Sequence, residues 1–312
     1  MQSVMENSVL KEFNVDSHLN AYWLRPESAL WDAIAARQIA RELADRKDIM
    51  EIGIGNGFFS FLMLGGRFKS EFDWFHSVNT QGFWDHTDIF DFNSDVSITD
   101  FIDSNPHTRI RIGVDHKQSL LNQATQLGFV DTLLKHDCNL PIPIETKIST
   151  VYSNILYWLA DPMSILHQIG EALPSGGEFV AAFPNSDFYK NCSSYTSKDV
   201  LSKLINRGRA NHIMWHMDLL DFEREIAKRG TFELRTSRRY LSPLILKAWD
   251  IGLRPLSIPL IRMANSLSPG TRLEIKQEWC DTIKQFVAPL LENELEYGGS
   301  CGGFNLVRLV KR

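Results

Sequence analysis

The seven residues Glu51-Ile52-Gly53-Ile54-Gly55-Asn56-Gly57 constrain this chain more than any other stretch. They follow the apolar run Asp48-Ile49-Met50 and lead directly into Phe58-Phe59-Ser60-Phe61-Leu62-Met63-Leu64. The order is a short strand, a glycine turn and an apolar segment of helical character. Glycines allow a sharp turn there and let a ligand approach the backbone without meeting a Cβ. Such turns open nucleotide-type sites at the carboxyl ends of strands in α/β sheets. A dinucleotide fingerprint, G-x-G-x-x-G, would need a glycine at 58 when counted from Gly53. The chain has Phe58 there, which disfavours a nicotinamide oxidoreductase. What stands instead is E-x-G-x-G-x-G, with an acid closing the strand.

Further elements follow in register. Arg109-Ile110-Arg111-Ile112-Gly113-Val114-Asp115 reads as a second strand ending on an acid. His116 to Gly128 carries Leu120, Leu121, Ala124 and Leu127 at helical spacing and closes on a glycine. Val130 to His136 is a third strand, followed by Asp137, and Ile148 to Tyr152 a fourth, leading into Ser153-Asn154. Asp161 to Leu173 reads as a helix that stops at Pro174-Ser175-Gly176-Gly177, before a fifth strand, Glu178 to Phe183. Strands alternating with helices predict a parallel sheet covered on both faces.

From Ile49 to Phe183 the chain resembles the catalytic core of a class I S-adenosylmethionine-dependent methyltransferase of the small-molecule branch. The glycine turn, the acids ending the second and third strands, and the helix-Leu-Pro-Ser-Gly-Gly-strand unit carry the resemblance, over roughly half the chain. It implies a Rossmann-like, doubly wound α/β fold with a seven-stranded sheet whose last pair is antiparallel. Phe232 to Tyr240 and Phe304 to Val310 are the strands expected there. The expected organisation is one elaborated domain over 1–312. Its core spans 46–186 with an insertion at 67–108, helical cap elements at 187–230 and 242–298, and final strands at 232–240 and 303–311.

The resemblance also implies site residues. Gly53, Gly55 and Gly57 would lie under the methionine part of S-adenosylmethionine, with Glu51 organising the loop. Asp115 would accept from the ribose hydroxyls, since a carboxylate takes several donors at once. Asp137 would accept from the adenine amino group, with His116 as a wall beside the base. Asn154 would face the methionine end or the acceptor. At the N-terminus, Ser28 to Arg37 reads as a helix, and Tyr22, Trp23 or Arg25 would close over the cofactor.

The stretch from Gly57 to Arg109 is far longer than one connecting helix requires. Its excess, about 67–108, is aromatic and acidic: Phe72, Trp74, Phe75, Phe83, Trp84, Phe90 and Phe92 with Asp73, Asp85, Asp88, Asp91 and Asp95. A lid, a subunit interface and an ornament covering a sheet edge all fit that composition. The apolar stretch Leu244 to Met263 is broken too often by charges and prolines to span a membrane. A cap over the acceptor pocket fits it better than contact with a membrane surface.

Methyl transfer from a sulfonium rests mainly on positioning, and a base is needed only for a weakly acidic acceptor. Histidines 76, 86, 212 and 216 and Tyr157 are the candidate bases, with His216 favoured for its place after the fifth strand. Tyr157, Trp158, Trp215 and Trp84 are expected to line the acceptor site. The implied reaction is methylation of a small acceptor at oxygen or nitrogen, a sugar or lipid-linked glycan intermediate among the options. A cofactor-binding partner subunit without transferase activity is the alternative. A formal net charge of −5 gives no electrostatic footprint for nucleic acid. The four cysteines show no metal-type spacing and fit free thiols in a reducing, cytoplasmic setting. The polar, acidic segment Met1 to Val9 does not read as a secretory signal.

Overall fold

A computed structural model of the chain describes residues 10–78, 97–144, 147–196, 213 and 215–312. Four strands run parallel in its centre: β1 (Ile49–Ile52), β4 (Ile110–Asp115), β5 (Val130–Lys135) and β6 (Thr150–Ser153). β7 (Glu178–Pro184) adds to β6 in parallel, and β9 (Phe304–Lys311) runs antiparallel to β7 from Glu178↔Val310 to Pro184↔Phe304. β8 (Phe232–Tyr240) closes the edge against β9, giving the order β5-β4-β1-β6-β7-β9-β8. The expected strands are all present, within two residues of their expected ends, and Phe232 to Tyr240 is matched at both.

Alternation along the strands sends successive side chains to opposite faces, and two apolar layers result. Met50, Ile52, Ile112, Val114, Val151, Phe179, Ala181 and Phe183 meet the helices Pro162–Ala172 and Leu219–Arg229 in one layer. Ile49, Tyr152, Val180, Ala182, Phe304 and Leu306 meet the N-terminal and C-terminal helices in the other. Three helices share a start signal, a capping side chain followed by proline at the first helical position. Asp161 accepts from Ser164 N at 3.0 Å before Pro162, Ser242 from Ile245 N at 3.5 Å before Pro243, and Ser268 from Thr271 N at 3.4 Å before Pro269.

Ion pairs orient the N-terminal helix Pro26–Leu43 on the sheet. Its buried Glu42 binds Arg238 and Thr236 of β8 and Arg308 of β9. The other arginines of β8 are paired too: Arg235 lies 3.0 Å from Glu233, and Arg239 binds Asp187. The helix begins two residues before the expected Ser28 because Pro26 opens it.

In the described part of the 67–108 insertion, Phe68, Phe72, Trp74, Phe75, Val78 and Ile98 pack into the core. β2 (Arg67–Phe68) pairs antiparallel with β3 (Ile102–Ser104). Phe68 stacks on Phe72 at 4.1 Å between centroids, and Phe58 and Phe61 of the glycine-loop helix pack edge-on and stacked against them. Phe72, Trp74 and Phe75 are buried. Phe83, Trp84, Asp85, His86, Asp88, Phe90, Asp91, Phe92 and Asp95 lie outside the described residues, as does His212.

The expected helical stretch after Ser242 breaks into pieces: Pro243–Lys247, a π-helical turn Ala248–Leu253, a 3-10 turn Arg254–Leu256, Ser257–Ala264 and the long helix Pro269–Cys301. Prolines 255 and 259 remove backbone donors there and prevent one continuous helix. Among the described residues no helix is long and apolar enough to cross a membrane.

His18, in the short helix Val15–Ala21, offers a test of this packing. It is buried, its Nδ1 lies 2.9 Å from Asn14 O, and its Nε2 has no partner among the described residues. Burial lowers its pKa to about 4 from 6.5, against the smaller raising effect of the Asn14 contact. The folded state therefore resists a proton that the unfolded chain takes up below pH 6.5. Stability should fall by about 3 kcal/mol as pH drops from 6.5 through 4. Urea unfolding across that range should show a shallower decline in His18→Gln; equal slopes would remove His18 as the cause.

Candidate active site

The strand order turns back at β1, with β4 and β5 on one side of it and β6 and β7 on the other. Ligands of such sheets bind in the crevice off the carboxyl ends of the strands at this point. The loop after β1 fills one wall of it. Gly53, Gly55 and Gly57 all have left-handed backbones, with φ of 81°, 59° and 78°. Their surroundings differ. A Cβ at Gly53 would overlap the Ile155 side chain, and one at Gly57 would lie 3.0 Å from Leu127 Cδ1 and 3.3 Å from Ala124 Cβ. A Cβ at Gly55 would meet nothing within 4 Å. Gly55 is thus the one of the three with open space where a side chain would stand. Gly57 is glycine for packing against the helix Gln118–Gln126 as well as for its backbone.

Asp115, at the end of β4, holds this loop. Its Oδ2 accepts from Gly55 N at 3.0 Å and its Oδ1 from Lys117 N at 2.9 Å. A carboxylate offers about four acceptor sites, so two remain for a ligand's hydroxyls. His116 is exposed, with Nδ1 3.5 Å from Asp115 Oδ1. Asp137 is exposed and forms a turn by accepting from Asn139 N at 2.9 Å, and these hydrogen bonds lower its pKa. Between them Cys138 is buried, and its thiol is pushed up to about 12, mainly by burial and then by Asp115 and Asp137. Asn154 is half-buried in the turn after β6.

Glu51 organises the loop through a partner that the sequence did not flag. Ser60 Oγ, in the first turn of the following helix, donates to Glu51 Oε1 at 2.7 Å. Glu51 is only 3% exposed, and its Oε2 has no hydrogen-bond partner among the described residues. Its pKa rises to about 8, chiefly from burial, with Ser60 opposing and Asp115 adding to the rise. A cationic or donor group brought into the crevice would satisfy that oxygen. The open face at Gly55, the spare acceptor sites of Asp115 and the unpartnered Glu51 oxygen together fit the glycine-face, ribose and ammonium demands of S-adenosylmethionine.

A cavity of about 160 Å³ opens among the N-terminal helix, the segments after β6 and β7 and the C-terminal cap. Its walls come from the N-terminal helix (Arg25, Glu27, Ser28, Trp31, Asp32), the segment after β6 (Tyr157, Trp158) and Phe188 and Tyr195 after β7. Trp249 and Arg254 of the cap, Phe304 of β9 and Ile213 complete it. Helical spacing explains the first wall, since Ser28, Trp31 and Asp32 fall on one side of a helix. Trp31 lies 4.7 Å from Trp249 and 4.9 Å edge-on from Phe304. Trp158, 40% exposed, stands at the rim. Asp32 is hydrogen-bonded to Tyr22. Its pKa rises to about 7, mainly by burial, with Arg25 lowering and Glu27 raising it.

Several expected site residues fall elsewhere. His216 is exposed on the surface against the Tyr189 ring, at 4.7 Å between centroids, and does not line the cavity. Its neighbour Trp215 packs on Phe183, at 4.9 Å, in the opposite apolar layer. Burial of the indole there directs residue 216 outward. His76 is exposed on the 3-10 turn Trp74–Ser77. Trp23 is drawn away by Asp73, which accepts from its Nε1 at 2.9 Å. Tyr157, Trp158 and Arg25 do line the cavity. Asp32, Trp31, Trp249, Tyr195 and Arg254 were missed, although an acid on the apolar side of the N-terminal helix was a readable signal.

The strand order, with its reversed β9 between β7 and β8, is that of the class I methyltransferase fold. Among solved structures, the chain is similar to an S-adenosylmethionine-dependent methyltransferase from Thermotoga maritima, described as a possible histamine N-methyltransferase. Identity is 14% over 98% of this chain and 95% of that one, with a TM-score of 0.44. A methyltransferase from Thiobacillus denitrificans bound to S-adenosylhomocysteine shares 14% identity over 89% and 90% of the two chains, with a TM-score of 0.44. The [4+2]-cyclase SpnF shares 12% over 91% and 82%, with a TM-score of 0.41. No protein-family model and no curated protein matches the chain. At these identities and TM-scores the likenesses carry no residue roles to this protein.

Proposed function

We propose that this protein is an S-adenosylmethionine-dependent methyltransferase acting on a small acceptor at oxygen or nitrogen. The observation that carries the reading is the crevice in which Asp115 and the open face of Gly55 meet, together with the aromatic cavity. Asp115 would bind the ribose hydroxyls, Glu51 the ammonium and Gly55 the methionine backbone side, while Asp137 and His116 flank the base. The bound cofactor supplies a sulfonium methyl, to which an acceptor lone pair bonds as the carbon–sulfur pair returns to sulfur. This chain's own contribution is to bind, orient and exclude water, by which positioning lowers the barrier.

An open cavity with polar groups favours an enzyme over a non-catalytic partner subunit. A sugar or lipid-linked glycan intermediate stays among the acceptors considered. We keep the single-domain reading over 1–312, and place the protein in the cytoplasm on its four free thiols. Calorimetry should show S-adenosylhomocysteine binding and no preference for NADH. Incubation with methyl-labelled cofactor and pooled small-molecule extract should transfer label to a small compound. Tight NADH binding without S-adenosylhomocysteine binding would overturn the assignment.

A further inference from the structure

Resting on that reading, we propose that the acceptor is an amine that docks as its ammonium among Trp31, Tyr157, Tyr195 and Trp249, with Asp32 as the carboxylate that takes its proton before the freed lone pair receives the methyl. Aromatic faces attract cations through the ring quadrupole, most strongly when the site is desolvated. Trp31 and Trp249 meet at 4.7 Å between centroids with their planes tilted by 43°, and Tyr195 stacks on Trp249 at 6.3 Å and 21°. Trp249 and Tyr195 already bind a cation within the wall, since Arg254 Cζ lies 4.5 Å and 5.6 Å from their centroids.

The charges around the cavity decide which ligand it takes. Arg25 is paired with Glu27 at 2.9 Å, and Arg254 with Asp250 at 3.1 Å. Two wall cations thus face three carboxylates, Asp32 being shared with Arg25, which opposes the rise of its pKa to about 7. Buried polar atoms without a partner among the described residues are Glu27 Oε2 in the wall and the hydroxyls of Tyr152 and Tyr240 behind it. Asp32 raises the pKa of both phenols, which places all three in one electrostatic neighbourhood. An ammonium brings donors only, whereas a carboxylate or phosphate brings acceptors only. Glu27 Oε2 and Asp32 are acceptors, so a donor-bearing cation satisfies them and an anion leaves them unpaired and repelled.

Three probes built on one benzyl group separate the possibilities: benzylammonium, neutral ethylbenzene and anionic phenylmethanesulfonate. Binding is read by calorimetry and by quenching of tryptophan fluorescence, with and without saturating S-adenosylhomocysteine. The cation should bind at least about tenfold more tightly than the other two, and Asp32→Asn should abolish most of that preference, while Asp32→Glu retains part of it. Circular dichroism melting of both variants establishes that they fold. Equal binding of cation and neutral probe, tighter binding of the sulfonate, or a preference unchanged in Asp32→Asn would each overturn the proposal. If the cation is preferred while S-adenosylhomocysteine does not bind, the methyltransferase reading fails and the cavity's specificity stands. If S-adenosylhomocysteine binds and the cation is not preferred, only the amine inference fails.

Discussion

Asp115→Ala is expected to weaken S-adenosylhomocysteine binding by about 10- to 100-fold, the loss that follows when a hydrogen bond to a charged group worth about 1.5–3 kcal/mol is removed. Two effects act together there. The substitution removes the acceptor sites facing the crevice, and it frees Gly55 N and Lys117 N, which Asp115 holds at 3.0 Å and 2.9 Å. Asp115→Asn separates them, because its amide keeps one acceptor oxygen and loses the charge. It should fall between wild type and Asp115→Ala. Calorimetry is the direct measurement, and wild-type affinity in both variants would remove Asp115 from the cofactor site.

Lys276→Met should destabilise the fold by about 3–5 kcal/mol, because the buried ammonium ties three elements together. Lys276 Nζ donates to Asn20 Oδ1 at 2.5 Å, Ser70 O at 2.7 Å and Phe72 O at 2.6 Å. One residue on the long C-terminal helix therefore fixes the N-terminal segment and the start of the insertion. Nearby Arg272 binds Asp73, the same carboxylate that holds Trp23. Methionine fills the space and leaves three acceptors without a donor. The melting temperature should drop by on the order of 10 °C, and an unchanged melting curve would show that water replaces the ammonium at no cost. Burial lowers the Lys276 pKa to about 8 from 10.5. The folded state thus sheds this proton before the unfolded chain does, so the residue's contribution to stability improves as pH rises from about 8 to 10.5.

The cofactor crevice was largely legible in the sequence because its parts are local. A strand, a turn and a helix occur in that order at Glu51 to Leu64, and the acid at 115 directly ends its own strand. Such units are set by alternation, glycine placement and caps within about ten residues. Gly53, Gly55 and Gly57 were equivalent at that level. Their separation into one open position and two packed ones needed Ile155, Leu127 and Ala124, which come from elsewhere in the chain.

The acceptor cavity was not legible as a whole, and the reason is geometric. Its walls draw on residues 25–32, 157–158, 188–195, 249–254 and 304, which no periodicity links. Helical spacing put Trp31 and Asp32 on a common side, but only packing of that helix on β8 and β9 through Glu42 decided what this side faces. The same applies to the base expected at His216. The motif around it was readable, yet whether residue 215 or 216 points inward depended on the room beside Phe183, and the indole took it. By itself, then, the sequence determined the strand order's building blocks and the acids and glycines at the strand ends, because those follow from local conformational preference. Tertiary structure alone decided which distant side chains share the cavity, because that choice depends on long-range packing and on which buried charges find partners.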